Sequence, residues 1–202
     1  LEFHDPLLPV VVTAFASVVA AATCVFAVLE GTKHAVVPFF GNELNLWVVA
    51  VFAGDHGVHA QGVTPWPQEV TASIIANFRA GGAAVNVLAR QAGADVYVVD
   101  MGVAADLAPG PDLLDHKIRA GTSDLATGPA MSRDEAVQGL LAGAAVARQL
   151  VDEGYDCLLS GDMGIANTTP SAALVAAFTG SAPGRVTGRG TGVDDPTLAR
   201  KV

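Results

Sequence analysis

From residue 46 onward, apolar and polar positions alternate between short β-rich runs and amphipathic segments. The run LWVVAVFAGDHG stops at Gly54, Asp55, His56 and Gly57, which predicts a buried parallel strand. After a loop with Gly62, Pro65 and Pro67, the segment QEVTASIIANF sets Val70, Ile74, Ile75 and Phe78 at helical spacing, and Pro67 suits the first turn. Gly81 and Gly82 break that helix, and Ala83 to Gln91 resume one that Gly93 closes. A second strand, VYVVD, ends at Asp100, and the stretch from Gly102 to Pro129 carries turn residues without periodicity. Ser132 precedes Glu135 at capping-box spacing and opens a long helix. Val137, Leu140, Leu141, Ala144 and Val151 are expected to line its apolar side, and Gly154 ends it. DCLLSG forms a third strand, followed by a helix near Thr169 and Pro170. This alternation predicts an α/β fold with a doubly wound, mainly parallel, Rossmann-like sheet and helices on both faces.

Residues 1–48 stand apart from the α/β domain expected over 49–202. Positions 7 to 29 carry no charged side chain, which meets the length criterion for a membrane span. Against a span, Pro9, Thr13, Ser17 and Thr23 interrupt the run, its flanks Asp5 and Glu30 are acidic, and no Lys or Arg cluster marks a cytoplasmic end. The competing reading is a buried helix or strand pair, and membrane association is not expected. A signal peptide lacks its basic n-region here.

Composition narrows the function classes. Hydrophobic residues make up 51% of the 202 and charged residues 15%, enough apolar material for a sizeable core and against disorder. Twenty acidic against 11 basic residues give a net charge of −9, so there is no broad cationic field for a nucleic-acid backbone. Cys24 and Cys157 have no CxxC or Cys/His spacing, so neither disulfides nor zinc are indicated, and a reducing, cytoplasmic setting is expected.

Ligands of open α/β sheets bind at the carboxyl ends of strands. Here three such ends deliver Asp55 with His56, then Asp100, then Asp162 with Asn167. Each alone also reads as a capping or turn residue; together they favour a site. The loop SGDMGIANTTP, residues 160–170, has small residues, free amides and a Thr at the expected cap, and can cradle phosphate. It matches neither GxxxxGK[ST] nor GxGxxG. A second glycine-rich segment, TGRGTGVDD at 187–195, is followed by Arg200 and Lys201. It reads either as an anion-binding loop with Lys201 as a point charge or as a flexible surface loop. His56 and His59 form an H-x-x-H pair, but in a loop rather than on a helix. Metal binding is therefore the weaker reading, and His56 is expected to orient the loop or face a substrate.

The ordered segments GDHGV (54–58), PQEVTASIIANF (67–78), GPAMSRDEA (128–136), GDMGIANTTP (161–170) and GRGTG (188–192) resemble the nicotinate-nucleotide:dimethylbenzimidazole phosphoribosyltransferase family, over about residues 49–202. The resemblance implies a cytoplasmic, homodimeric enzyme of cobalamin lower-ligand synthesis without metal or organic cofactor. Its substrates would be nicotinate mononucleotide and 5,6-dimethylbenzimidazole. It further implies a phosphate- and ribose-binding set of Gly164, Asn167, Thr168, Gly190, Thr191 and Lys201, with the Asp162 carboxylate beside the ribose. The acceptor base would lie near Trp66, Pro67 and Ile74, with support from the strand-end residues Asp55, His56 and Asp100.

Three departures follow from the same comparison. Asp162 stands where the family usually carries Glu, so its reach is one methylene shorter. The general-base glutamate belongs to a glycine-rich C-terminal motif not found before Val202, and no KPPGSLG-like stretch occurs in residues 1–48. A chain truncated at its C-terminal side, or partly misassigned at its ends, is the expectation, weak or inactive alone unless Asp162 replaces the base. Two alternatives remain on sequence grounds: a non-catalytic phosphate- or nucleotide-binding module that lost the base, and a membrane-anchored protein spanning through residues 7–29.

Overall fold

The computed structural model describes residues 46–202; the 7–29 segment and the unmatched N-terminal stretch lie outside the described residues. Four strands form one sheet in the order β3-β2-β1-β4. They are β1 (Trp47–Gly54), β2 (Ala94–Gly102), β3 (Leu113–Asp115) and β4 (Cys157–Met163). All three pairings are parallel, as the alternating pattern predicts. The helices are α1 (Val70–Arg79), α2 (Ala84–Ala92), α3 (Arg133–Asp152), α4 (Thr168–Thr179), the single turn α5 (Pro183–Val186) and α6 (Asp195–Lys201).

Period-two alternation along β1 and β2 sends side chains to two faces. Val48, Ala50, Phe52, Val99 and Met101 face one way and are buried with Ala136, Val146, Ala147 and Leu150 of α3. Ala53 and Val98 face the other way and pack with Ile75 of α1. At β1 and β2 the sheet is therefore covered on both sides, which is what near-continuous apolar strands require, whereas the edge strand β4 leaves Leu159 42% exposed.

Local details correct three expectations. The buried side of α3 is Ala136, Gly139, Gly143, Val146, Ala147 and Leu150, whereas Val137, Leu141 and Val151 are exposed. Small residues let the helix axis approach the sheet over Phe52 and Met101, so the seam runs along alanine and glycine rather than along the largest side chains. The unpatterned stretch after β2 contains the three-residue strand β3, too short to show a period. The N-cap of α4 is Asn167, not a threonine, and its side chain does not cap the helix. The α3 start is as predicted: Glu135 N donates to Ser132 Oγ and Ser132 N to Glu135 Oε2.

Residues 70–92 have the length and a mean hydropathy of 1.2 that a membrane span needs. Gly81, with φ +73°, splits them into helices of 10 and 9 residues, each too short to cross a bilayer.

Candidate functional site at the strand ends

The chain runs from β1 to β2 on one side, then from β3 through α3 to β4 on the other side of β1. The strand order thus reverses between β1 and β4, the place where open α/β sheets form a crevice. Asp55 and His56 follow β1, and Asp162 to Asn167 lie at the end of β4 and in its loop to α4.

That loop is tightly built. A Cβ on Gly164 would overlap the Gly54 carbonyl oxygen and come within 2.7 Å of His56 Nε2, so only glycine lets β4 turn this close to the end of β1. Ala166 adopts φ +75° without being glycine, a conformation that costs energy and persists only where its surroundings hold it. Ile165 N donates to the buried hydroxyl of Thr71 at 3.1 Å, and Asn167 N donates to the Gly164 carbonyl at 3.0 Å. The loop delivers the chain into α4, where Thr169 N donates to the Ala166 carbonyl and Ser171 N to the Asn167 carbonyl and Pro170 has no N–H, so among the described residues Thr168 N is the one first-turn amide without a partner, at the positive end of the helix dipole.

Lys201 meets this helix start from α6. Its Nζ donates to Thr168 Oγ1 at 3.1 Å and to the Gly188 carbonyl at 3.0 Å, leaving one of the ammonium's three donors unassigned. The residue is 8% exposed, and burial pulls its pKa below the usual lysine range. No carboxylate pairs with it among the described residues. Gly190, at φ +55°, completes the cradle, since a Cβ there would lie 2.8 Å from Thr168 Oγ1 and 3.3 Å from Lys201 Nζ. Thr191 is exposed in the same turn. Arg189 is held within its own segment, donating to the Val193 carbonyl at 2.7 Å and pairing with Asp195.

Asp162 accepts a hydrogen bond from Asn167 Nδ2 at 3.1 Å. Its side chain keeps an open edge, yet the surrounding protein displaces enough water to push its carboxyl up to about 6, with the Asn167 amide acting in the opposite direction.

The other two strand-end carboxylates organise a loop. Asp100 Oδ1 accepts from Gly102 N at 3.0 Å and Val103 N at 2.9 Å, and its Oδ2 lies 3.3 Å from Lys117 Nζ. Burial raises its pKa against these partners. Asp55 Oδ2 accepts from Ala104 N at 2.8 Å, while Lys117 Nζ donates to the Ala105 carbonyl at 3.1 Å. Residues 102–105 are thereby fixed as one wall of an open cleft of about 250 Å³, lined by Asp55, Gln68, Glu69, Ala72, Ala104 and Ala105. The turn-forming reading of Asp55 and Asp100 describes what they do, and by doing it they shape the cleft.

The residues expected around an acceptor base are only partly gathered here. Trp66 is 51% exposed, with its carbonyl 2.8 Å from His59 Nε2. Pro67 is exposed just before α1, and half-buried Ile74 does not line the cleft. Gln68 and Ala72, one helical turn apart, do line it; that i, i+4 spacing was readable in QEVTA. His56 lies 2% exposed with both ring nitrogens unpartnered, and burial lowers its pKa to about 4. It is a neutral packing partner of Gly164 and does not line the cleft. Among the described residues, no group of three His, Cys, Asp or Glu side chains could hold a metal ion.

A buried, carboxylate-free lysine at the start of a helix, next to a glycine turn and a strand-reversal crevice, marks this edge of the α/β domain as a candidate anion site. More particularly, the chain belongs to the phosphoribosyltransferase family, whose sequence profile matches residues 40–202. Among its relatives, the nicotinate-nucleotide–dimethylbenzimidazole phosphoribosyltransferase of Salinispora tropica is 58% identical, over 76% of this chain and 46% of the relative. The enzyme of the same name from Roseiflexus sp. is 56% identical, over 86% and 50%. The crystal structure of CobT from Thermus thermophilus superposes with a TM-score of 0.77 at 46% identity, covering 93% of this chain and 54% of that one. The chain thus spans about half the length of the curated relatives it matches.

Proposed function

We propose that this chain forms the nucleotide-holding part of an enzyme that transfers phosphoribose from nicotinate mononucleotide to 5,6-dimethylbenzimidazole, giving α-ribazole 5'-phosphate and nicotinate. The observation that carries the reading is Lys201: a buried ammonium without a carboxylate, sharing Thr168 and Gly188 at the start of α4, is suited to an ester phosphate. The names of the relatives support the substrate pair.

In this reaction a benzimidazole nitrogen forms a bond to the ribose anomeric carbon. The bond from that carbon to the pyridinium nitrogen breaks, and its electron pair returns to the ring, giving nicotinate. The proton on the acceptor's other nitrogen passes to a base. By family resemblance that base is a glutamate of a C-terminal motif outside these residues. The phosphate anchored at Lys201, Gly190 and the hydroxyl and amide of Thr168 fixes the ribose, and in-line placement of the two rings supplies much of the acceleration. Asp162 is assigned to the ribose side of the site. With its pKa near 6 it is mostly ionised at pH 7, so its charge stabilises positive charge developing at the anomeric carbon. The cleft between Asp55, Gln68 and the three alanines receives the flat acceptor, with the alanine methyls against its hydrocarbon edge. Thr191 and Asn167 border the phosphate and ribose, and a homodimer acting in the cytoplasm completes the proposal.

The test is release of nicotinate from nicotinate mononucleotide by the full-length protein with dimethylbenzimidazole, followed chromatographically. Stoichiometric α-ribazole phosphate is the expected product. Tight nucleotide binding without nicotinate release would instead favour a non-catalytic nucleotide-binding module.

A further inference from the structure

Among the described residues, side chains from two other elements hold the loop that carries the proposed phosphate site: Lys201 at Thr168 Oγ1 and Thr71 at the Ile165 amide. Thr71, the second residue of α1, is 0% exposed, and its Oγ1 accepts from Ile165 N at 3.1 Å across 94 positions of sequence. Ile165 sits between Gly164, which has no room for a side chain, and Ala166, a non-glycine residue at φ +75°. Its own side chain is buried, so its amide has no access to water and would lose its partner without the Thr71 hydroxyl. The same stretch of α1 and its lead-in supplies Gln68, Glu69 and Ala72 to the cleft.

We propose that Thr71 is a positioning residue for the phosphate site. Its hydroxyl pins the Ile165 amide and with it the left-handed turn at Ala166, so that the Thr168 amide and Thr168 Oγ1 face the nucleotide phosphate. Because it does so from the cleft helix, it sets the phosphate loop at a fixed distance from the acceptor cleft. The proposal rests on the nucleotide reading given above and adds a residue to it.

The experiment compares wild type, Thr71→Val and Thr71→Ser in the full-length protein. Valine keeps the shape and removes the acceptor; serine keeps the acceptor and removes the methyl group. Two readouts are taken: amide hydrogen exchange over residues 163–168 in the unliganded protein, and KM values for nicotinate mononucleotide and for dimethylbenzimidazole. Thr71→Val should speed exchange in that segment about tenfold and raise the nucleotide KM about tenfold, each equivalent to about 1.4 kcal/mol. The base KM should stay within about twofold, and Thr71→Ser should restore both readouts. Unchanged exchange in Thr71→Val overturns the proposal, as does faster exchange with an unchanged nucleotide KM. Failure of serine to rescue also overturns it, since the methyl packing would then be what matters. If wild type neither binds nor cleaves the nucleotide, the functional reading fails, while the exchange comparison still decides whether Thr71 holds the loop.

Discussion

Replacing Lys201 by methionine removes the ammonium and keeps most of the hydrocarbon stem, so the packing of α6 against residues 188–190 is largely preserved. The lost contacts are the bonds to Thr168 Oγ1 and the Gly188 carbonyl and the third donor, which the proposed function gives to the phosphate. A hydrogen bond to a charged group contributes about 1.5–3 kcal/mol, which corresponds to about a 10- to 150-fold change in dissociation constant. Isothermal titration should show that loss for nicotinate mononucleotide and little change for dimethylbenzimidazole, because the charge serves only the phosphate. The pH dependence gives a second signature. Burial lowers the Lys201 pKa, so the charged form, and nucleotide affinity with it, should be lost on raising the pH before an ordinary lysine would titrate. Equal losses for nucleotide and base, or an alkaline limb unchanged in Lys201→Met, would refute the phosphate role.

Asp162→Asn should lower turnover in the full-length protein while leaving nucleotide affinity similar. The wild-type rate should rise with pH through about 6 as Asp162 ionises, and this limb should vanish in the variant; an unchanged profile would remove Asp162 from the mechanism. His56, lowered to about 4 by burial, stays neutral in the folded chain while the unfolded chain gains a proton below about 6.5. Stability should therefore fall by roughly 3 kcal/mol on acidification from pH 6.5 to 4. The raised pKa of Asp162 acts in the opposite sense between about 6 and 3.8. Denaturant titrations of His56→Leu and Asp162→Asn separate the two: the first should lose the acid-sensitive component, the second should deepen the net acid loss. Gly164→Ala drives a methyl into Gly54 and His56 and should cost about 1–3 kcal/mol by overpacking, read as a lowered thermal midpoint; a wild-type midpoint would mean the loop has room to move.

Strands β1, β2 and β4 and helices α1 to α3 are legible in the sequence because each repeats a period over enough residues to be read. The strand β3 is not, since three residues carry no period. The packing side of α3 is misleading in sequence because bulk is the usual guide, whereas Gly139, Gly143 and Ala147 face the sheet and Leu141 faces out. At the site, glycine spacing and charge mark the segment of Gly190 and Lys201 as one of two readings, an anion-binding loop or a flexible surface loop, and only the family resemblance assigns the phosphate to them. Thr71 cannot be picked out, because its partner is 94 positions away and a threonine inside an apolar helix announces nothing. Gln68 and Ala72 are less conspicuous than Trp66 and Ile74 because aromatic and aliphatic bulk suggests a ring site, while the cleft is made by small residues that leave space.

The central claim is that the crevice between β1 and β4 holds a nucleotide by its phosphate. Its most direct test is the affinity of wild-type protein for nicotinate mononucleotide against nicotinate riboside, which differ only by that phosphate. At least tenfold tighter binding of the mononucleotide is predicted, on the order of the charged hydrogen bond that Lys201 supplies, with the advantage abolished in Lys201→Met. Equal affinity for the two ligands in wild type would contradict it.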